Sequence, residues 1–207
     1  MNTATLKATP STFNLPPLGA FLEDQGGYFA GVVMVNGSRR GVVVAGASGE
    51  LKGIWGKRGE DIAAKHVSDG MANTLAMAAA GSDMAKQALA LDINGHKDWH
   101  IPARDERELV YRTFKPGTQP NYCGFKDGEN VSSVPVGQAY TKDSPSQTTV
   151  ESFREGGPDA LQSAWYWSST QYSAHDAFFQ DFEDGYQGLS LKDYEGLVRA
   201  VRSFLID

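Results

Sequence analysis

The carboxylates with chemical potential lie close together near the end of the chain. Asp181, Glu183 and Asp184 follow one another in a short polar turn, and several oxygens at close range are what a calcium ion needs. Asp176 precedes them and would add the second member of a carboxylate pair of the kind that hydrolyses glycosidic bonds. Spacing along the chain does not give the distance between carboxyl groups, so we expect solvated turn residues with no metal site.

The remaining reactive residue types lack the spacing that a reaction needs. The single Cys123 cannot form an intrachain disulfide or a cysteine zinc site. The chain has no Gly-x-Ser-x-Gly nucleophile motif, and the glycine-rich run 53–59 lacks the Gly-Lys-Ser or Gly-Lys-Thr of a phosphate loop. No metal-ligand spacing joins the four histidines, which are His66, His96, His100 and His175. We therefore expect no catalytic residues, no cofactor and no enzyme.

Charge is concentrated in the last quarter of the chain. The net charge is −6 over 207 residues, and residues 151–207 hold ten acidic against four basic side chains. Such a surface repels phosphate backbones, which argues against a nucleic-acid partner. Neither a signal-peptide pattern nor a run of membrane-spanning length is present, so we expect synthesis in a cytoplasm and no membrane insertion.

The first half of the chain predicts an arm, a hairpin and helices. Residues 1–26 carry prolines among Thr, Ser and Asn, which predicts an extended N-terminal arm, and residues 27–207 then form one domain. Two β-rich runs flank Asn36-Gly37, which predicts a hairpin. Ser68 or Asp69 is suited to cap a helix that begins near Met71. A short second helix follows as far as residue 89, and a third begins near residue 104 and ends before residue 116.

The second half predicts a long loop and a closing set of strands. Residues 117–164 are rich in Pro, Gly, Ser and Thr, which indicates an inserted loop with a function or a partner. Four short β-rich runs then lie at 165–170, 177–182, 188–191 and 197–204. Arg202 falls among apolar positions of the last run, so we expect a carboxylate partner, for which Asp105 or Glu106 is suitable.

Four of these pieces, in this order, carry a resemblance to a known family. They are 69–74, 99–106, 166–170 and 198–202. Together they resemble the C-terminal domain of collagen-like bacterial adhesins, a branch of the C-type-lectin-like superfold that also occurs in phage tail proteins. The resemblance covers roughly 27–204. It implies an α+β fold with two main helices, a twisted antiparallel sheet and long loops.

The resemblance also implies where a ligand would bind. In the variable phage proteins of the superfold, the final strands and their loops display the side chains that contact the receptor. The corresponding positions combine aromatic contact area with hydrogen-bonding groups, a mixture that suits recognition of protein or sugar. They are Tyr172, His175, Asp176, Gln180, Asp184, Tyr186, Gln187, Asp193 and Tyr194. About half of such positions serve the fold alone, and Trp165 and Trp167 are expected to pack in the core.

Two motifs of related families are absent from this sequence, so neither calcium-dependent sugar binding nor copper oxidase activity is expected. The calcium-dependent lectins hold their ion through a Glu-Pro-Asn loop and a Trp-Asn-Asp strand, and neither occurs here. The sulfatase-activating oxidases use paired cysteines with copper, which the single Cys123 cannot reproduce.

The function expected from these features is receptor binding by a phage virion protein at the tail tip. The arm would attach the domain to other virion proteins, and the lectin-like end would face a protein or glycan on the host. A homo-oligomer is expected, with a trimer as the guess. The alternatives are a capsid or tail decoration protein with a purely structural role, and a bacterial surface adhesin or secreted hydrolase.

Overall fold

The computed structural model describes residues 15–206. Most of the predicted arm, residues 1–14, lies outside the described residues. The rest of that segment adjoins the domain, because Phe21–Leu22 form strand β1 and pair with the next strand. The sheet therefore begins before the predicted boundary at residue 26.

The described chain is an α+β domain with three α-helices and two sheets. The helices are α1 (Gly70–Ala79), α2 (Asp83–Leu89) and α3 (Arg104–Phe114). The remaining strands are β2 (Gly27–Val35), β3 (Ser38–Val44), β4 (Glu50–Ile54), β5 (Trp165–Gln171), β6 (Asp176–Asp181), β7 (Gln187–Leu191), β8 (Glu195–Arg199) and β9 (Val201–Leu205). One sheet has the order β1-β2-β3-β9 and the other has the order β4-β8-β5-β6-β7. All pairings are antiparallel except the contact of β5 with β8.

Local sequence rules account for the hairpin and for the helix starts. Asn36 and Gly37 both adopt positive φ, 49° and 81°, as a tight turn between β2 and β3 requires. The Asp69 side chain accepts the Ala72 N–H at 3.0 Å and caps α1, and Ser82 caps α2 in the same way. The predicted hairpin and helices are confirmed.

The predicted last strand is in fact two strands. At Ala200 the chain leaves the five-stranded sheet, in which β8 pairs with β4, and enters the four-stranded sheet, in which β9 pairs with β3. This switch decides the partner of Arg202. Its guanidinium donates to the Asp98 carboxylate at 2.5 and 3.0 Å, so the pairing predicted with Asp105 or Glu106 is wrong.

Helix α3 fills the space between the two sheets. Its Val110, Tyr111 and Phe114 are buried in one core cluster with residues of both sheets, among them Val33 and Tyr166. A second cluster gathers α1, α2 and the opposite face of the five-stranded sheet. Because α3 is buried along most of its length, it is a fixed support for the part of the long segment that bonds to its Glu108 and Arg112 side chains.

The four sequence pieces that carry the family resemblance are joined by hydrogen bonds. Most of their apolar residues are buried, including Trp99, Ile101 and Val198, each 0% exposed. The bonds are Ile101 N–H to Thr74 Oγ1 (3.0 Å), Arg104 N–H to Thr170 Oγ1 (2.9 Å), and the reciprocal backbone pair between His100 and Val201 (2.9 and 3.0 Å). The pieces therefore form one structural unit.

The segment 117–164, all of it described, has little regular structure, as predicted. It contains a short 3-10 turn at Glu151–Phe153 and isolated β-bridges. Among the described residues, no helix has the length and apolar character needed to cross a membrane.

Candidate functional site

The sequence-predicted binding residues lie at opposite ends of the five-stranded sheet. Pairing of Asp176 with Leu191 brings five of them to one end, and the tight turn after β6 brings three to the other. The first group is Tyr172, His175, Asp176, Asp193 and Tyr194, and the second is Asp184, Tyr186 and Gln187. The length of β6 separates the two groups by roughly 17 Å. The nine residues therefore do not form one continuous patch.

Gln180 cannot belong to any surface patch. Its side chain is 0% exposed and donates to the Tyr140 hydroxyl at 3.1 Å and to the Gly185 carbonyl at 3.2 Å. It also accepts a long hydrogen bond, 3.4 Å, from Arg107. The side chain lies on the face of β6 that is turned toward α3, so its assignment to ligand binding is wrong.

At the first end, two tyrosines are exposed over an ordered turn. Tyr172 is 60% and Tyr194 55% exposed. The Asp176 carboxylate accepts the Ser173 hydroxyl at 3.0 Å, and Ser173 in turn accepts the Asp176 N–H. Asp176 thus serves the turn between β5 and β6.

The second end forms one wall of an open cleft of about 440 Å³, which we call the β7 cleft. Strands β6 and β7 form one wall and residues 122–131 of the long segment form the other. The lining residues are Arg104, Tyr122, Phe125, Lys126, Asp127, Glu129, Val131, Phe178, Tyr186, Gln187, Gly188 and Leu189. A cleft of this volume with an aromatic lining and a few polar groups is typical of small-ligand sites.

Specific hydrogen bonds hold the two walls of the β7 cleft together. The Asp127 carboxylate accepts the Gln187 N–H at 2.9 Å, and the Tyr122 N–H donates to the Asp184 carbonyl at 2.8 Å. The rings of Tyr122 and Tyr186 meet edge to face with their centroids 5.0 Å apart. The positions of the two walls relative to each other are therefore set in the free protein.

Several aromatic and apolar side chains of the cleft remain open to solvent. Phe125 is 84% and Val131 73% exposed on one wall, and Leu189 is 41% exposed on the other. Exposed apolar groups that converge on a concave surface indicate a binding site more strongly than scattered ones.

The positive and negative charges of the cleft lining are balanced, and both of its cations lie beside a carboxylate. Arg104 lies 2.8 Å from Asp105 and 5.5 Å over the Phe178 ring, and Lys126 lies 3.4 Å from Glu129. The lining holds two cationic and two anionic side chains in all. The cleft has no excess charge.

Helix α3 anchors the segment that forms the outer wall. Arg112 donates to the Gly128 and Gln138 carbonyls at 2.6 and 2.8 Å, and Asn130 donates to the Glu108 carboxylate at 2.7 Å. Burial raises the pKa of Glu108. The charge of Arg112 and the hydrogen bonds that Glu108 accepts from Asn130, Tyr140 and Arg112 act in the opposite direction.

Lys115, just after α3, holds the base of the same segment. Its ammonium donates to Asn121 Oδ1 at 2.7 Å and also to the Gln119 carbonyl. Burial lowers its pKa. The Asn121 amide extends the network to the Pro145 carbonyl at 2.9 Å. A loop that has almost no regular structure is thus fixed through side-chain bonds.

Two polar atoms in the lining residues have no hydrogen-bond partner in the described structure. They are Asp127 Oδ2 and Gln187 Nε2, and both are shielded from solvent. The first is an acceptor and the second a donor, in residues already joined by the Asp127–Gln187 bond. Buried polar groups are usually paired, and six other such atoms lie elsewhere in the described residues. These two are the ones that belong to the cleft lining.

The Asp181 and Asp184 carboxylates of the acidic turn accept hydrogen bonds that stabilise the turn. Asp181 accepts the Trp165 indole N–H at 3.0 Å and the Glu183 N–H at 2.9 Å, and Asp184 accepts the Tyr186 N–H at 2.9 Å. Across residues 15–206, no three His, Cys, Asp or Glu side chains converge as a metal site.

The two tryptophans of β5 were both predicted to pack in the core. Trp165 is 50% exposed and stacks on Phe179, whereas Trp167 is buried.

Sequence reasoning missed most of the outer wall of the cleft. The composition of 117–164 indicated a functional loop, but nothing in it distinguished residues 122–131. The available signal was the pair of aromatic residues, Tyr122 and Phe125, in an otherwise polar, glycine-rich stretch without β or helical periodicity.

Comparisons with known proteins add no relative. No protein-family model matches the chain, and no curated protein matches it significantly.

Proposed function

We propose that this chain is a non-enzymatic recognition protein of a phage virion and that the β7 cleft binds a receptor on the host surface. The observation that carries the proposal is the preformed cleft, with exposed rings on walls that Asp127 and Gln187 join at 2.9 Å. Preformed sites avoid the entropy cost of ordering loops on binding.

The fold belongs to the proposal as well, as a C-type-lectin-like domain. Its support is the sequence resemblance together with the hydrogen bonds that join the four resembling pieces, such as Arg104 N–H to Thr170 Oγ1. A long irregular segment on a rigid α+β body also fits a superfold in which connections form the binding face. Fold alone does not define the ligand, so the cleft carries the functional part.

The N-terminal residues would attach the domain to other virion proteins, and a homotrimer would present several clefts to one host surface. Several weak sites on one particle bind together far more tightly than one site does. Attachment and trimer formation remain part of the proposal.

Binding of the purified full-length chain to cells of the bacterium that hosts the virus tests the proposal. Tyr186→Ala removes an exposed ring from the cleft, and Tyr194→Ala removes a comparable ring from the other end of the sheet. We expect a loss of binding of at least about tenfold for Tyr186→Ala and little change for Tyr194→Ala.

The outcomes separate the possible roles. Loss of binding with Tyr194→Ala alone would move the receptor site to the other end of the sheet. No binding by the wild-type chain, with normal adsorption of virions that lack it, would leave only the structural role of a decoration protein.

A further inference from the structure

We infer that the β7 cleft binds an uncharged, hydroxyl-rich ligand, namely one or two sugar residues of a neutral surface glycan. The inference rests on the proposed function, because it names the class of receptor that the same cleft would recognise. Three properties support it: the balanced charges of the lining, the exposed rings, and the donor and acceptor that have no partner.

The charges argue against an anionic ligand. Phosphate, sulfate and sialate are bound where cations are in excess, whereas the two cations of this lining are balanced by Asp127 and Glu129. Arg104 is also held by Asp105 at 2.8 Å. The net charge of −6 for the chain adds long-range repulsion of polyanions. A neutral ligand encounters neither obstacle.

The rings suit the apolar faces of a sugar. One face of many pyranose rings presents only C–H groups, which pack on an aromatic ring while the hydroxyl groups point sideways. Phe125 and Tyr186 offer such surfaces, with 84% and 38% exposure, and Tyr122 supports Tyr186 from the side. The cleft volume of about 440 Å³ suits one or two sugar residues.

The unpaired atoms supply the directional part of recognition. Asp127 Oδ2 can accept and Gln187 Nε2 can donate, and a sugar hydroxyl can do both. Both atoms lie below the accessible wall, so contact requires a rotamer change of the Gln187 side chain, whose backbone is held by Asp127. A bound hydroxyl would then restore the hydrogen bonds that these groups lack.

A peptide strand added to the free edge of the sheet is the competing occupant. Strand β7 is an edge strand, and such edges can recruit an extended chain. Here the Gln187 N–H, at the start of that edge, already donates a hydrogen bond to the Asp127 carboxylate. It is therefore not available to a peptide strand. Residues 122–131 stand across the cleft from the same strand, which leaves room for a small ligand.

Treated host cells distinguish the two occupants. Periodate destroys sugar rings that carry vicinal hydroxyls, and proteinase K removes surface protein. We expect binding of the full-length chain to fall at least about tenfold after periodate and to persist after proteinase K. Loss after proteinase K alone would overturn the glycan and leave the proposed function intact, and no binding to untreated cells would overturn both.

Variants and salt test the chemistry of the site directly, with polysaccharide extracted from the same cells as the probe. Gln187→Leu keeps the bulk of the side chain and removes its donor, and Gln138→Leu is the matched change at an exposed position of the long segment. We expect Gln187→Leu to weaken binding by about tenfold or more, with an unchanged melting temperature, and Gln138→Leu to bind as wild type. Wild-type affinity for Gln187→Leu would overturn the assigned donor.

Salt dependence separates neutral from charged ligands in the same assay. Affinity should stay constant between about 50 and about 500 mM NaCl, because no ion pair forms with the ligand. A steep fall in affinity with salt would show that an anionic polysaccharide is recognised and would overturn the inference.

Discussion

The carboxylate of Asp127 accepts the backbone N–H of Gln187 at 2.9 Å, and this bond joins the irregular segment 117–164 to the edge of the five-stranded sheet. It occupies an outward-facing amide that the sheet itself leaves free. One residue of the loop therefore both closes the cleft and protects the strand edge.

Replacing this carboxylate should open the cleft without unfolding the domain. In Asp127→Ala, the Gln187 amide loses its partner, and we expect a loss of about 1–2 kcal/mol in the stability of residues 122–131. Hydrogen exchange should rise in that stretch and at Gln187, and the core of α3 should keep its protection. Asp143→Ala, at an exposed position of the same segment, is the control, and equal exchange in the two variants would contradict the role of Asp127.

The ammonium of Lys115 should be the main anchor at the base of the segment. Lys115→Met keeps the length of the side chain but leaves Asn121 Oδ1, 2.7 Å away, and the Gln119 carbonyl without this donor. Bonds to charged groups contribute about 1.5–3 kcal/mol, so we expect the free energy of unfolding to fall by about 2 kcal/mol. Urea denaturation measures it. The exposed Lys142→Met should change it by less than about 0.5 kcal/mol, and a similar small change for Lys115→Met would show that the network is not needed.

Local determinants explain which parts of the fold the sequence could predict. The hairpin turn needs positive φ at Asn36 and Gly37, and the start of α1 needs an acceptor at Asp69. Such features depend on a few adjacent residues, so they can be read without knowing the rest of the fold.

Features that depend on which sheet a strand joins could not be predicted in this way. The change of sheet at Ala200 moves Arg202 away from α3 and beside Asp98. Gln180 has a polar side chain in a strand of mixed composition, and only the position of α3 shows that it faces inward. Likewise, the β7 cleft needs residues about sixty positions apart, Asp127 and Gln187, to meet.

The buried carboxylate of Glu108 should make the folded protein less stable as pH rises. An acid whose pKa is lowered by an ion pair has the opposite effect. Its pKa is raised above 4.5 because burial disfavours the charged form. A raised folded-state pKa means that wild type loses stability as pH rises from about 4.5 through the folded pKa, whereas Glu108→Gln does not. We expect the variant to be less stable, because its side-chain amide keeps one acceptor oxygen but places an NH2 group where a second donor, Asn130 at 2.7 Å, needs an acceptor. The gap to wild type should narrow as pH rises.

Urea denaturation of both proteins at several pH values between about 4 and 7 measures this gap. Glu183→Gln, a change at an exposed carboxylate, should give a gap that is small and constant with pH. A gap for Glu108→Gln that widens with rising pH would instead mean that the ion pair with Arg112 outweighs burial.

The pair of Asp98 with Arg202 should show the opposite pH dependence. Partial burial acts to raise the pKa of Asp98, but the hydrogen bonds and charge of Arg202 outweigh it, so the pKa lies below 3.8. The stabilisation is therefore complete above about pH 4 and is lost as pH falls through the folded pKa. Because Asp98 is half exposed, we expect Asp98→Asn to lower the free energy of unfolding by only about 1 kcal/mol at pH 7. In urea denaturation at lower pH, the difference from wild type should disappear.

The control is Asp92→Asn, which breaks an exposed pair with Lys97 at 3.5 Å and should lower the free energy of unfolding by less than about 0.5 kcal/mol. Equal costs for the two variants at pH 7 would mean that the two-point contact of Arg202 with Asp98 adds nothing beyond an ordinary surface ion pair.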